Sequence, residues 1–135
     1  MSVLHMLDTD TASYLIKGRA PHIEAKLTQL PPSMVCVSVI TQAELLYGLK
    51  RLPETHALQN VVRKFLSIIR VLAWDSEAAN HYAEIRHQLV STGQPIGDMD
   101  MMIAAHSLAA NAVLVTNNIK HYERITAPIT LVNWA

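Results

Sequence analysis

The stretch Val3-Leu4-His5-Met6-Leu7-Asp8-Thr9-Asp10 decides the fold class, because an apolar run of strand length ends directly on acidic residues. Similar apolar runs recur along the chain, and the segments between them have the apolar spacing of helices. The predicted strands are Val3–Leu7, Val35–Val39, Val71–Trp74, Val113–Val115 and Thr130–Val132. Strands that alternate with helices form a parallel sheet with helices on both faces. We therefore predict one α/β domain over residues 1–135, with about five parallel strands in the order 3-2-1-4-5.

The segments between these strands predict six helices, and glycine or proline residues bound several of them. Gly18 is suited to cap the end of the first helix, Pro31 and Pro32 stop the second, and Pro53 separates the third from the fourth. The predicted helices are Thr11–Lys17, Ile23–Leu30, Gln42–Leu52, Thr55–Ile69, Glu77–Val90 and Met99–Ala110. No repeat, linker or low-complexity segment interrupts the pattern, which favours a single domain.

Composition narrows the class of protein. Half of the residues are hydrophobic and only 5% are aromatic, so we expect an aliphatic core. Lys plus Arg and Asp plus Glu number 11 each, and a net charge of zero argues against a protein that coats nucleic acid by bulk charge. Cys36 is the one cysteine, so no disulfide is expected. No apolar stretch approaches the roughly 18 residues of a membrane span, and Asp8 comes too early for a signal peptide. We expect a cytoplasmic protein without membrane contact.

Acidic residues follow the predicted strands at one edge of the sheet, which is where open parallel sheets place their active sites. Asp8 comes directly after the first strand, Glu44 lies one turn into the helix after the second, and Asp100 opens the helix before the fourth. The polar run of residues 116–118 follows the fourth strand at the same edge. Carboxylates crowded together raise one another's pKa unless a cation lies between them. Oxygen ligands of this kind suit Mg²⁺ or Mn²⁺, which would activate water against a phosphodiester. The arrangement predicts a metal-dependent nuclease.

Each acidic residue also has a local explanation. Asp8 or Asp10 could cap the first helix, and Thr41-x-x-Glu44 fits a capping box. Asp98 and Asp100 could complement the positive end of a helix dipole.

Other polar residues are assigned no chemical role. Asp75 is expected to cap a helix, because its strand lies at the sheet edge, away from Asp8. Ser38 lies within a strand with no adjacent base, which excludes it as a nucleophile. None of the seven histidines are paired at helical spacing, so zinc is not expected.

Motifs in four segments resemble those of PIN-domain proteins, specifically the VapC-type toxins of type II toxin–antitoxin pairs, over essentially the whole chain. They are Met6-Leu7-Asp8-Thr9, Ser38-Val39-Ile40-Thr41-x-x-Glu44-Leu45, Gly93-x-Pro95-Ile96-Gly97-x-x-Asp100-x-x-Ile103-Ala104, and Val115-Thr116-Asn117-Asn118 followed by Tyr122-Glu123-Arg124. The resemblance implies a Mg²⁺-dependent endoribonuclease and a homodimer. It also implies a VapB-type antitoxin that blocks the site, with operator DNA bound only through the antitoxin. Relatives of this type cleave tRNA, which implies an anticodon-loop target, several of them in the initiator tRNA.

The resemblance matches Asp8, Glu44 and Asp100 to the family's acids, as metal ligands and catalytic residues. Asp10 stands where Asn is usual, Asn118 takes a fourth acidic position, and Asp98 is an additional acid. These departures leave open whether Asp10 and Asp98 bind metal. The residues expected to support the ligands are Asp98, Asp10, Thr9, Ser38, Thr41, Thr116, Asn117 and Asn118.

Two other readings of the acidic residues remain open. Asp8-Thr9-Asp10 fits the D-x-D opening of haloacid-dehalogenase-like phosphohydrolases, with Asp8 as a covalent nucleophile. A receiver-type signalling domain would use paired acids for Mg²⁺ and Asp75 as the phosphoryl acceptor. Both classes need a lysine after a late strand, and residues 131–134 contain none.

Overall fold

The computed structural model describes residues 3–135, and a five-stranded parallel sheet forms its centre. The strands are β1 (His5–Leu7), β2 (Val35–Ser38), β3 (Arg70–Leu72), β4 (Val113–Val115) and β5 (Leu131–Val132). Their order is β3-β2-β1-β4-β5, and every neighbouring pair is parallel. The predicted α/β class and strand order are therefore confirmed. Because β1 is central, the residue that follows it lies in the middle of the carboxyl edge.

Among residues 3–135, seven helices and one 3₁₀ turn (Pro32–Met34) connect the strands. The helices are α1 (Thr9–Ile16), α2 (Pro21–Leu27), α3 (Val39–Lys50), α4 (Leu58–Ile68), α5 (Ser76–Ser91), α6 (Asp98–Ala109) and α7 (Ile119–Tyr122). No helix within residues 3–135 is long and apolar enough to cross a lipid bilayer.

Alternation along the strands divides the core into two layers, because successive strand side chains point to opposite faces. One layer lies against α5 and α6, and the other lies against α1, α2 and α4. The paired strand residues are Met6, Cys36 and Leu114 in the first layer and Leu7, Val37 and Val115 in the second. All six are fully buried. The sheet is therefore a rigid platform for the polar residues at its edge.

Several predicted boundaries are wrong at the ends of elements, where a side-chain cap rather than apolar spacing decides. α1 begins at Thr9 instead of residue 11, because the Asp8 side chain caps it. α3 begins at Val39 instead of residue 42, because Ser38 ends β2 and caps the helix. The 3₁₀ turn and α7 were not predicted, since each is too short to show an apolar period.

Candidate active site

Asp8 is buried at the carboxyl end of β1 and caps α1. Its Oδ1 accepts a hydrogen bond of 2.9 Å from the backbone N–H of Thr11. Burial raises the pKa of Asp8, hydrogen bonds from Thr11 and Thr116 oppose that rise, and the charge of Asp10 adds to it. The capping explanation is thus correct, and the same carboxylate also stands at the centre of the edge.

Glu44 lies in the second turn of α3 and is held by a residue from α1. The Thr9 hydroxyl donates to Oε1 at 2.7 Å and lies 3.0 Å from the Thr41 hydroxyl. The capping-box explanation is wrong, because α3 is capped by Ser38 and Thr41 lies inside the helix. Burial raises the pKa of Glu44, the Thr9 hydrogen bond lowers it, and the charges of Asp100, Asp10 and Asp8 raise it. The negative charges of three aspartates therefore act on the Glu44 carboxylate, and we refer to these four groups as sharing one electrostatic field.

Asp100 lies in the first turn of α6 and contacts α7. Its Oδ2 is 3.0 Å from Nε2 of His121, an ion pair when the imidazole is protonated. The buried Tyr122 is next to it, and its pKa is raised by burial first and then by the charges of Asp100 and Asp8. Sequence reasoning missed His121. The signal was its place in the segment after β4, which begins at the same edge as Asp8.

The remaining predicted residues divide by location. Thr116 is fully buried beside Asp8, whose pKa its side chain lowers, and the Thr116 hydroxyl accepts from the Asn118 backbone N–H at 3.0 Å. The side chains of Asn117 and Asn118 are exposed. Asp98 is also exposed and affects a different group. The pKa of Arg86 is raised mainly by Tyr82 and further by Asp98. Asp98 is absent from the charges that act on Asp8 and Glu44.

Ser38 does have an adjacent base, contrary to expectation. Nδ1 of His106 lies 2.7 Å from the Ser38 Oγ, and both residues are buried. The same Oγ accepts from the Ile40 N–H at 3.0 Å, so this contact joins α6 to the cap of α3. Burial lowers the pKa of His106, which the nearby Asp75 opposes. Asp75 caps α5 through the Ala78 N–H, as predicted. Because burial denies a substrate access to Ser38, the pair is structural.

The carboxylates fit a divalent cation in their chemistry. They are hard oxygen donors from three separate elements, and hydroxyl groups hold two of them without neutralising their charge. Within residues 3–135, no three His, Cys, Asp or Glu side chains form a tight ligand cluster. Burial is the main cause of the raised pKa of Glu44, and the charges of Asp100, Asp10 and Asp8 raise it further, so a cation among these carboxylates would relieve their repulsion.

Residues 5–126 match the PIN domain family. The chain belongs to the PIN-domain family. This PIN-domain chain is 39% identical over 129 residues to a protein of Salmonella typhimurium named tRNA(fMet)-specific endonuclease VapC, with 96% of each chain covered. A crystal structure of DNA-bound VapBC from Salmonella typhimurium has a TM-score of 0.90 and 37% identity, covering 98% of this chain and 99% of the other. A VapBC2 structure from Rickettsia felis, bound to a promoter DNA fragment, has a TM-score of 0.89 and 33% identity, covering 98% and 99%.

These similarities decide between the open readings of the sequence. The match covers nearly the whole chain, so this PIN-domain protein is a nuclease of the VapC group. PIN-domain nucleases generally depend on divalent metal ions. The phosphohydrolase and receiver readings lose their basis, since a PIN domain explains the same acidic residues.

Proposed function

We propose that this protein is a VapC-type endoribonuclease in which Asp8, Glu44 and Asp100 hold Mg²⁺, with Mn²⁺ as a substitute. The observation that carries the proposal is geometric: Thr9, which directly follows Asp8, donates to Oε1 of Glu44 at 2.7 Å, so both carboxylates lie at one edge of the sheet, and the charges of Asp100 and Asp10 act on Glu44 as well. Carboxylates that share a field in this way are a site for a small hard cation. Asp10 adds to the field, whereas Asp98 lies outside it.

The bound cation would act as a Lewis acid on the phosphodiester and lower the pKa of an attacking water. The chain's own residues orient the ligands. Thr9 holds one oxygen of Glu44 and would leave the carboxylate oriented to hold a cation. Thr116 and the α1 backbone fix Asp8, and His121 orients Asp100. Thr41 supports Thr9, and Ser38 sets the start of the helix that carries Glu44.

The proposed substrate is tRNA, cut in the anticodon loop, with the initiator tRNA as the first candidate. The relative from Salmonella typhimurium and one from Shigella flexneri are both named tRNA(fMet)-specific endonucleases. A chain of zero net charge has little long-range attraction for polyanions, so it depends on shape. An anticodon loop presents unpaired bases and an accessible backbone. A tRNA substrate would place the protein in the cytoplasm.

We further propose that a VapB-type antitoxin binds the protein and blocks the site, as the neighbouring VapBC complexes suggest. Operator DNA would be reached only through the antitoxin. We also propose a homodimer, since exposed apolar side chains remain on α4, notably Val61 and Ile68. Light scattering should show a dimer in the micromolar range, and a monomer throughout would contradict this.

The test of the activity uses the purified full chain and a mixture of cellular tRNA. Cleavage should require Mg²⁺ or Mn²⁺, stop with EDTA, and be lost in Asp100→Asn. Glu84→Gln, an exposed acid on α5, serves as the matched control and should cleave normally. Brief induction in cells, followed by sequencing of RNA 5′ ends, should show one dominant cut in an anticodon loop. Cuts spread over messenger RNA would overturn the tRNA assignment and leave the metal site intact.

A further inference from the structure

A small cleft of about 230 Å³ opens beside the acidic residues, between α1, the start of α2 and the residue that follows Thr116. Its polar lining consists of Tyr14, Arg19, His22 and Asn117. The ring of Tyr14 is 43% exposed, although it is a large aromatic group on a helix that packs against the sheet. The other three side chains are exposed as well. None of these groups is needed for the core.

The cleft adjoins the active site through Asn117, although none of the acidic residues lines it. Asn117 lies two residues after Val115, whose backbone oxygen accepts from the Asp8 N–H at 3.0 Å. Tyr14 is six residues along α1 from its cap, Asp8, which corresponds to about 9 Å along the helix axis. A group in the cleft would therefore lie next to a substrate bound at the acidic residues.

The lining combines three chemistries that suit a nucleobase. Ala20, Pro21 and Ile23 supply an apolar floor, and Tyr14 supplies an exposed aromatic ring. An aromatic side chain binds an unpaired base by stacking on its face. An amide such as that of Asn117 can bond the donor and acceptor groups at a base edge. The volume is smaller than that of a drug-sized pocket, which favours one base over a larger ligand.

The charges of the lining favour a nucleic acid over a protein segment. The lining, which Ala135 completes, contains Arg19 and no Asp or Glu side chain. Asp100 and His121 form the one ion pair found among residues 3–135, so Arg19 has no acidic partner there. A free guanidinium at the rim is suited to a phosphate. The larger groove on the other side of α1, about 390 Å³, is lined by the acidic residues Asp10 and Glu44 as well as by aliphatic groups, and it lacks an aromatic ring on which a base could stack.

We propose that this cleft binds one unpaired base of the RNA substrate, next to the bond that is cut. Tyr14 stacks on the base, Asn117 bonds its edge, and Arg19 holds the adjoining phosphate. The cleft thus helps to select the cleavage position. This inference rests on the proposed ribonuclease activity.

The test compares Tyr14→Ala, Tyr14→Phe and the control Tyr47→Ala, whose ring is 66% exposed on α3. Binding of a labelled anticodon stem-loop RNA is measured by anisotropy, with Asp8→Asn in every protein to prevent cleavage. Tyr14→Ala should weaken binding about tenfold, the scale of one lost base stack. Tyr14→Phe and Tyr47→Ala should bind as the parent does. Circular dichroism verifies that each variant is folded.

An abasic scan of the same RNA locates the base. One abasic position beside the cut should weaken binding by the same factor as Tyr14→Ala, and the two changes together should add nothing further. In the active protein, Asn117→Ala should broaden the choice of cleavage position. Equal RNA affinity for Tyr14→Ala and Tyr47→Ala would overturn the proposal. It would also be overturned if Tyr14→Ala lost affinity for a protein partner but bound RNA as the parent does. If the wild type cleaves no RNA at all, the failure lies with the proposed function instead.

Discussion

Replacing Asp8 by Asn should abolish cleavage and stabilise the metal-free fold. The folded pKa of Asp8 lies above the usual value of 3.8, mainly because the carboxylate is buried. A carboxylate shifted in this direction contributes stability below its unfolded pKa, and that contribution is lost as the pH rises through the folded pKa. At pH 7 the ionised Asp8 therefore lowers the free energy of unfolding, and a neutral side chain removes that cost.

Two variants separate this charge effect from helix capping. Asn caps helices about as well as Asp and can still accept from the Thr11 N–H, whereas Ala cannot. Asp8→Asn should gain on the order of 1 kcal/mol over the wild type, typical of relieving a functional site. Asp8→Ala should be about 1 kcal/mol less stable than Asp8→Asn because the cap is lost. For a chain of this length, each step corresponds to roughly 4 °C in Tm.

The assay is thermal unfolding at pH 7 followed by circular dichroism, first in EDTA and then in saturating Mg²⁺. A ligand present at a hundred times its Kd stabilises the folded state by about 2.7 kcal/mol. The wild type should therefore overtake Asp8→Asn in Mg²⁺ while remaining below it in EDTA. The reasoning is refuted if Asp8→Asn is clearly less stable in EDTA or gains as much from Mg²⁺ as the wild type does.

Variants at three other residues test neighbouring contacts. Glu44→Gln should lose cleavage at no cost in Tm, because the amide oxygen still accepts from Thr9 and no capping box is broken; a lowered Tm in EDTA would show a structural role. Asp98→Asn should retain most of the cleavage rate, because Asp98 is not among the charges that raise the pKa of Glu44. A complete loss of cleavage would place Asp98 among the metal ligands. His106→Leu should lose about 1–3 kcal/mol, because the buried hydroxyl of Ser38 loses a partner, whereas His106→Asn should lose less. The folded pKa of His106 is lowered, so its contribution to the free energy of unfolding is present above about pH 6.5 and is lost as the pH falls. The stability of His106→Leu should lack this pH dependence. Identical stability–pH profiles for the wild type and His106→Leu would contradict the assignment.

The sheet and the acidic residues could be predicted because both depend on short-range patterns. Apolar runs mark the strands, and a parallel sheet brings everything that follows a strand to one edge, which is how Asp8 and Glu44 were found. The contacts of His121 with Asp100 and of His106 with Ser38 could not be predicted. The two residues of each contact lie 21 and 68 residues apart in the sequence, and local apolar spacing does not indicate a contact over such a separation.

The groups that hold the acidic residues explain how the site can keep its charge. Thr9, Thr11 and Thr116 hold Glu44 and Asp8 through neutral hydroxyl and backbone groups. A lysine or arginine in their place would form an ion pair and compete with a cation for the same oxygens. Within residues 3–135 no lysine or arginine pairs with a carboxylate, and the one ionisable partner found is a histidine at the half-exposed end of the site. The negative charge therefore remains available to a cation. Keeping this charge buried lowers the free energy of unfolding, which is why replacing the buried Asp8 by a neutral residue should stabilise the metal-free protein.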